Sequence, residues 1–119
     1  MKICFPVDSF QGMKSVITHH FGAAPCFITY ETDTKEAGLI YAQDLQTTGS
    51  CNPSIELANQ GVEVVITGGI GPGALQRLMD NGVHVMQAKT GIVEEDLENY
   101  KKGCLTVYGY DEGNCDCNS

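Results

Sequence analysis

Positive charge is scarce in this chain. Seven Lys and Arg residues stand against fifteen Asp and Glu, leaving a formal charge of −8 at pH 7. Nucleic acid and anionic membrane would both repel such a molecule, so neither is expected as a partner. Long apolar runs are missing too: no stretch approaches the ~20 residues that a membrane helix needs. The opening segment, residues 1–7, is too short for a signal peptide and breaks at Pro6, so the expected location is the cytoplasm. Six cysteines are present without a single Cys-x-x-Cys, and the lone Cys-x-Cys at Cys115 and Cys117 is a weak metal signal. In a reducing compartment, three structural disulfides are not expected either.

The richest stretch runs from residue 62 to residue 79. Val62, Val64, Val65 and Ile66 make a short apolar, β-branched run, which predicts a strand buried on both faces, as in a parallel sheet. Leu75, Leu78 and Met79 then recur at helical spacing, with Gln76, Arg77 and Asp80 on the other side, predicting a helix over 72–81. Between them lies Gly68-Gly69-Ile70-Gly71-Pro72-Gly73. Glycines let the backbone turn sharply and let a ligand approach it bare. The helix start adds unpaired N–H groups, and Pro72 suits a first helical position. No Gly-Lys-Ser or Gly-Lys-Thr follows, so this is not a P-loop. Nor is it a dinucleotide fingerprint, because Gly91 stands where a ribose-binding acid is expected, about twenty residues on. From the loop alone, an anion site and a tight turn serving chain geometry are equally open.

At 119 residues and 42% hydrophobic, the chain is one ordinary domain, expected over 1–108, with a mobile Cys-containing tail over 109–119. Strands are expected at 2–7, 26–32, 38–42, 83–88 and 105–108. Residues 26–32 and 38–42 flank a short turn and form an antiparallel hairpin. Helices are expected at 53–59, with Asn52 as N-cap and Gly61 as stop, and at 93–100. The second of these carries Glu94, Glu95 and Asp96 early and Lys101 and Lys102 late, as the helix dipole favours. Together these predict an α/β fold, a mixed sheet covered by helices on both faces, with 62–67 central. Ligands gather at the carboxyl ends of parallel strands. Those ends carry Asp8 and Ser9, the glycine turn, and Lys89-Thr90-Gly91.

His19-His20-Phe21-Gly22 is the other unusual stretch; on composition alone, paired histidines are more often solvated surface than ligands. His20-Phe21-Gly22 before an aromatic strand resembles the signature of the nitrogenase accessory factor family, which includes dinitrogenase iron–molybdenum cofactor biosynthesis proteins. The Thr67 to Pro72 turn and the Val93-Glu94-Glu95 helix start are similar to it as well, and the resemblance spans nearly the whole chain. It implies a three-layer α/β/α, ribonuclease-H-like fold and a carrier rather than an enzyme. The implied cargo is a metal–sulfur cluster, iron–sulfur or molybdenum-containing, exchanged with a donor or acceptor protein by a monomer or weak dimer. His20 matches the family's cluster-facing histidine. Gly68, Gly69, Ile70, Gly71, Gly73, Thr90 and Gly91 complete the expected cradle, for a sulfido cluster is usually anionic.

Where many family members carry basic residues, this chain has Ala23 and Gly73, leaving Lys14, Arg77 and Lys89 as candidate cations. That shifts candidate metal ligation toward thiolates, from Cys51 at a helix start or from Cys115 and Cys117. Cys4 and Cys26 fall in apolar runs and are expected in the core. Two other readings stand beside the carrier. One is a metal-dependent hydrolase or nuclease using Asp8, which would need clustered carboxylates. The other is a thiol-based metal-trafficking protein working through the tail. If the carrier reading holds, His20 lies beside 69–73, and His19, its neighbour in an extended piece, points away.

Overall fold

A computed structural model of the chain describes residues 1–41 and 57–107. Six strands form one mixed sheet: β1 (Lys2–Val7), β2 (Cys26–Glu31), β3 (Glu36–Tyr41), β4 (Val62–Thr67), β5 (His84–Gln87) and β6 (Thr106–Val107), in the order β3-β2-β1-β4-β5-β6. β2 and β3 make the expected hairpin, antiparallel to each other and to β1. β4 lies parallel to both β1 and β5, so the carboxyl ends of these three strands share one edge. β6 closes the far side antiparallel to β5. The expected central place of 62–67 is therefore observed.

Two helices follow the sequence pattern closely, α1 (Pro72–Asp80) and α2 (Val93–Lys101). Residues 57–59 are helical, ahead of Gly61 at φ +89°, which matches the expected stop. The remainder of that helix, including Asn52, lies outside the described residues. Alternation along the strands divides the core in two. Ile3, Phe5, Val7, Ile28, Val64 and Ile66 face α2, where Val93 and Leu97 meet them. Cys4, Phe27, Val65 and Val85 face the other way, against Leu57 of the 57–59 helical turn and Leu78 of α1. Helices thus cover both faces of the sheet, giving the three-layer arrangement.

One irregularity shifts a side chain from one face to the other. Lys2 pairs with Val62 but Ile3 pairs with Val64, so Glu63 is an extra residue in β4. The bulge leaves Glu63 in solvent and sends Val62 to the α1 side with Val65, instead of to the side of Val64. Cys4 and Cys26 are buried, as expected, and burial pushes both thiols above their ordinary range. No helix among the described residues is long and apolar enough to cross a membrane.

Candidate functional site

The site begins with a proline. Pro6 has no N–H to extend the β1–β4 ladder, whose register runs only to Cys4 opposite Val65. Beyond that point Ile17 and Thr18 occupy the space between the two strands. Ile17 bridges Val7 in antiparallel fashion, and the Thr18 N–H donates to the Pro6 carbonyl at 2.8 Å. On its other side the Thr18 carbonyl accepts from Gly68 N–H at 3.1 Å. Thr18 is thus held between the end of β1 and the turn after β4. The residues that follow it have to land on the glycine turn.

They do so in close contact. Phe21 N–H donates to the Gly69 carbonyl at 3.0 Å, and Phe21 is buried against Phe27 with ring centroids 5.7 Å apart. This anchors a short 3-10 turn, Phe21–Ala23. Thr67, fully buried, shapes the opposing turn: its hydroxyl donates to the Gly69 carbonyl at 3.0 Å and accepts from Gly69 N–H at 3.3 Å. Between the two stretches lies an open cavity of about 470 Å³, lined by His19, His20, Phe21, Gly22, Ala23, Ile70 and Gly71. Residues some fifty positions apart in the chain therefore meet in one pocket, with His20 exposed on its wall. The chain leaves extended geometry at His20 (φ −131°, ψ 85°) ahead of the 3-10 turn, so neighbours need not alternate, and His19 lines the same cavity.

The glycines divide by cause. Gly12, Gly61, Gly82, Gly91 and Gly103 have positive φ, a conformation that side chains resist. A Cβ on Gly69 would collide with the His19 carbonyl, one on Gly68 would sit 2.8 Å from His19 Nδ1, and one on Gly38 2.8 Å from Thr29 Oγ1. Gly22 and Gly71 have neither reason: a Cβ on them would meet nothing within 4 Å. Gly73 is nearly as open, with only the mobile tip of Arg77 at 3.4 Å. Gly71 is also the N-cap of α1 and supplies no side-chain cap, while Pro72 opens the helix and no acid lies in its first turn. Exposed, uncapped helix N–H groups beside bare backbone form a ready anion cradle.

A model of the dinitrogenase iron-molybdenum cofactor family matches residues 1–103. The chain belongs to that family. Its fold recurs in the apo form of the orange protein from Desulfovibrio gigas, at 23% identity with a TM-score of 0.78, covering 91% of this chain and 92% of that one. A candidate NifB protein from Thermotoga is similar at 22% identity and a TM-score of 0.70, covering 89% and 91%. A candidate dinitrogenase from Methanocaldococcus jannaschii shares the fold at 13% identity and 0.69, covering 92% and 95%. No match was found among curated proteins.

Other expected residues of this family member fall elsewhere. Thr90 lines a second groove, of about 550 Å³, with Met13, Tyr30 and the outer face of α2. The Thr90 and Gly91 amides are engaged within the fold, at 3.0 and 2.9 Å from the carboxylate of Asp96. Asp96 is fully buried and also accepts from Lys89 N–H at 3.1 Å and Asn99 Nδ2 at 3.2 Å. Gly91 in turn passes its carbonyl to Ile17 N–H at 2.7 Å. That loop therefore supports the histidine segment from behind. In the sequence Asp96 looked like one more helix-start acid, and nothing set it apart from Glu94 and Glu95. Thr67, directly before two glycines, carried a readable side-chain turn signal; Thr18 carried none.

Cys51, Cys115 and Cys117 lie outside the described residues. Lys14 is paired with Glu94 at 3.3 Å, away from the pocket, whereas the Arg77 guanidinium reaches back over Gly73. Asp8 is exposed, and among the described residues no three His, Cys, Asp or Glu side chains gather to hold a metal ion.

Proposed function

We propose that the chain is a carrier for an anionic metal–sulfur cluster, iron–sulfur or molybdenum-containing, or for its precursor, and not a catalyst. The cargo sits between residues 19–23 and the start of α1. One observation carries this reading: Gly22 and Gly71 line a pocket shared with His19 and His20, with open space where their side chains would be and no strain to explain them. Bare backbone with free N–H groups suits a sulfide-rich anion, and imidazole supplies a metal ligand where the cluster has an open position. A bare zinc-like ion takes about four protein ligands, which two histidines do not supply, while a preassembled cluster needs far fewer.

Electrostatics suit a carrier more than a permanent holder. The molecule is strongly acidic overall, which opposes an anionic cargo, and the local offset comes from the α1 start and Arg77. Retention by one imidazole and a set of N–H dipoles, in an open cleft, leaves the cluster accessible for ligand exchange with a donor or acceptor protein.

Anaerobic reconstitution with ferrous iron and sulfide, with and without molybdate, tests the reading. Charge-transfer absorbance should develop with a stoichiometric cluster. It should fall by roughly tenfold or more in occupancy for His20→Ala, whose stability changes by no more than ~0.5 kcal/mol because the side chain is exposed. A wild-type protein that stays colourless and free of metal and labile sulfide contradicts it.

A further inference from the structure

We propose that His19, and not His20 alone, is a metal ligand for the cargo, and the one held in advance in ligating geometry. The inference rests on the cluster-carrier reading of the same pocket and adds a residue to it. Three observations converge. His19 is one of the residues lining the cavity, beside His20. Its Nδ1 lies 3.4 Å from the Gly68 carbonyl oxygen, which can only accept, so a hydrogen bond between them places a proton on Nδ1. In the neutral ring that leaves Nε2 with a lone pair, and it has no protein partner among the described residues. Metal-binding histidines commonly have this arrangement, one ring nitrogen donating to a backbone carbonyl and the other ligating.

The third observation concerns Gly68. Its φ is not positive, so the backbone does not require glycine there. A Cβ would stand 2.8 Å from His19 Nδ1 and 3.2 Å from Cε1, as well as 3.0 Å from the Thr18 carbonyl. The missing side chain therefore makes the seat in which the imidazole lies against the turn. Gly69 does the same for the His19 carbonyl, so two successive glycines fit against this one residue. A histidine merely in solvent needs no such seat. His20 differs: its backbone is fixed, N–H to Thr18 Oγ1 at 3.1 Å and carbonyl to Ala23 N–H at 3.0 Å, while its ring makes no hydrogen bond among the described residues. The pocket thus offers one oriented and one adjustable imidazole.

The test has a readout on the empty protein and one on the loaded protein. Long-range proton–nitrogen correlation on the apo protein should show neutral His19 as the Nδ1–H tautomer, whereas His20 shows the Nε2–H form that free imidazole side chains prefer. Gly68→Ala should return His19 to the Nε2–H form. Reconstitution with ferrous iron, sulfide and molybdate then compares His19→Ala with His19→Asn. The Asn amide can still donate to the Gly68 carbonyl but has no second ring nitrogen. Both variants should lose cluster occupancy by roughly tenfold or more with melting temperatures unchanged. Full uptake by His19→Asn overturns the ligand role and leaves the carrier reading standing. Neutral His19 in the Nε2–H form overturns the preorientation. A wild-type protein that takes up no cluster overturns the carrier reading, and the ligand role with it.

Discussion

At the scale of single residues, the glycine turn separates two kinds of requirement. Gly69 is glycine because the His19 carbonyl lies where its side chain would be, so Gly69→Ala forces the histidine loop off the turn. The loss should be about 1–3 kcal/mol, the usual range for overpacking a tight contact. Gly71→Ala meets open space and keeps an extended N-cap conformation, so its stability should match wild type within ~0.5 kcal/mol. Its cluster occupancy should nonetheless fall, since the new methyl group projects from the cradle wall. Urea melts and reconstitution on the two variants check the contrast. Equal destabilisation by both would mean that the turn serves chain geometry alone.

At the scale of elements, Asp96 shows how a helix and a loop place a site they do not line. Its buried carboxylate gathers the Lys89, Thr90 and Gly91 amides, and Gly91 hands its carbonyl to the segment that leads to His19. Asp96→Ala leaves those part-buried amides without their shared partner and should cost about 1–3 kcal/mol. Chemical denaturation measures it, and a cost below about 1 kcal/mol would remove Asp96 from the support of the site. Most elements were legible because their periodicity was strong. β1 has the expected bounds, and β4 and α1 agree to within a residue. Two sets of contacts were not legible. The threading of Ile17 and Thr18 between β1 and β4 depends on Pro6 ending a ladder, and a proline in a strand usually marks an edge. The support from Asp96 depends on which of three adjacent acids turns inward, which helix periodicity alone left undecided.

At the scale of the molecule, the sheet order places the ends of three parallel strands on one edge, and the pocket forms where β1 and β4 part around the histidine segment. The family pattern singled out His20 and the glycine turn, and the fold brings them together. It could not show that His19 shares the pocket, because that follows from a local departure from extended backbone. Nor did it show that Thr90 belongs to a different groove, on the α2 side. The central claim is the location of the cargo, and amide chemical-shift mapping during anaerobic cluster loading addresses it most directly. Nitrogen-labelled protein should show shifts or paramagnetic broadening centred on residues 19–23 and 68–75, fading toward α2. Changes centred instead on Thr90, Glu94, Glu98 and Lys102 would place the cargo in the other groove and contradict the account.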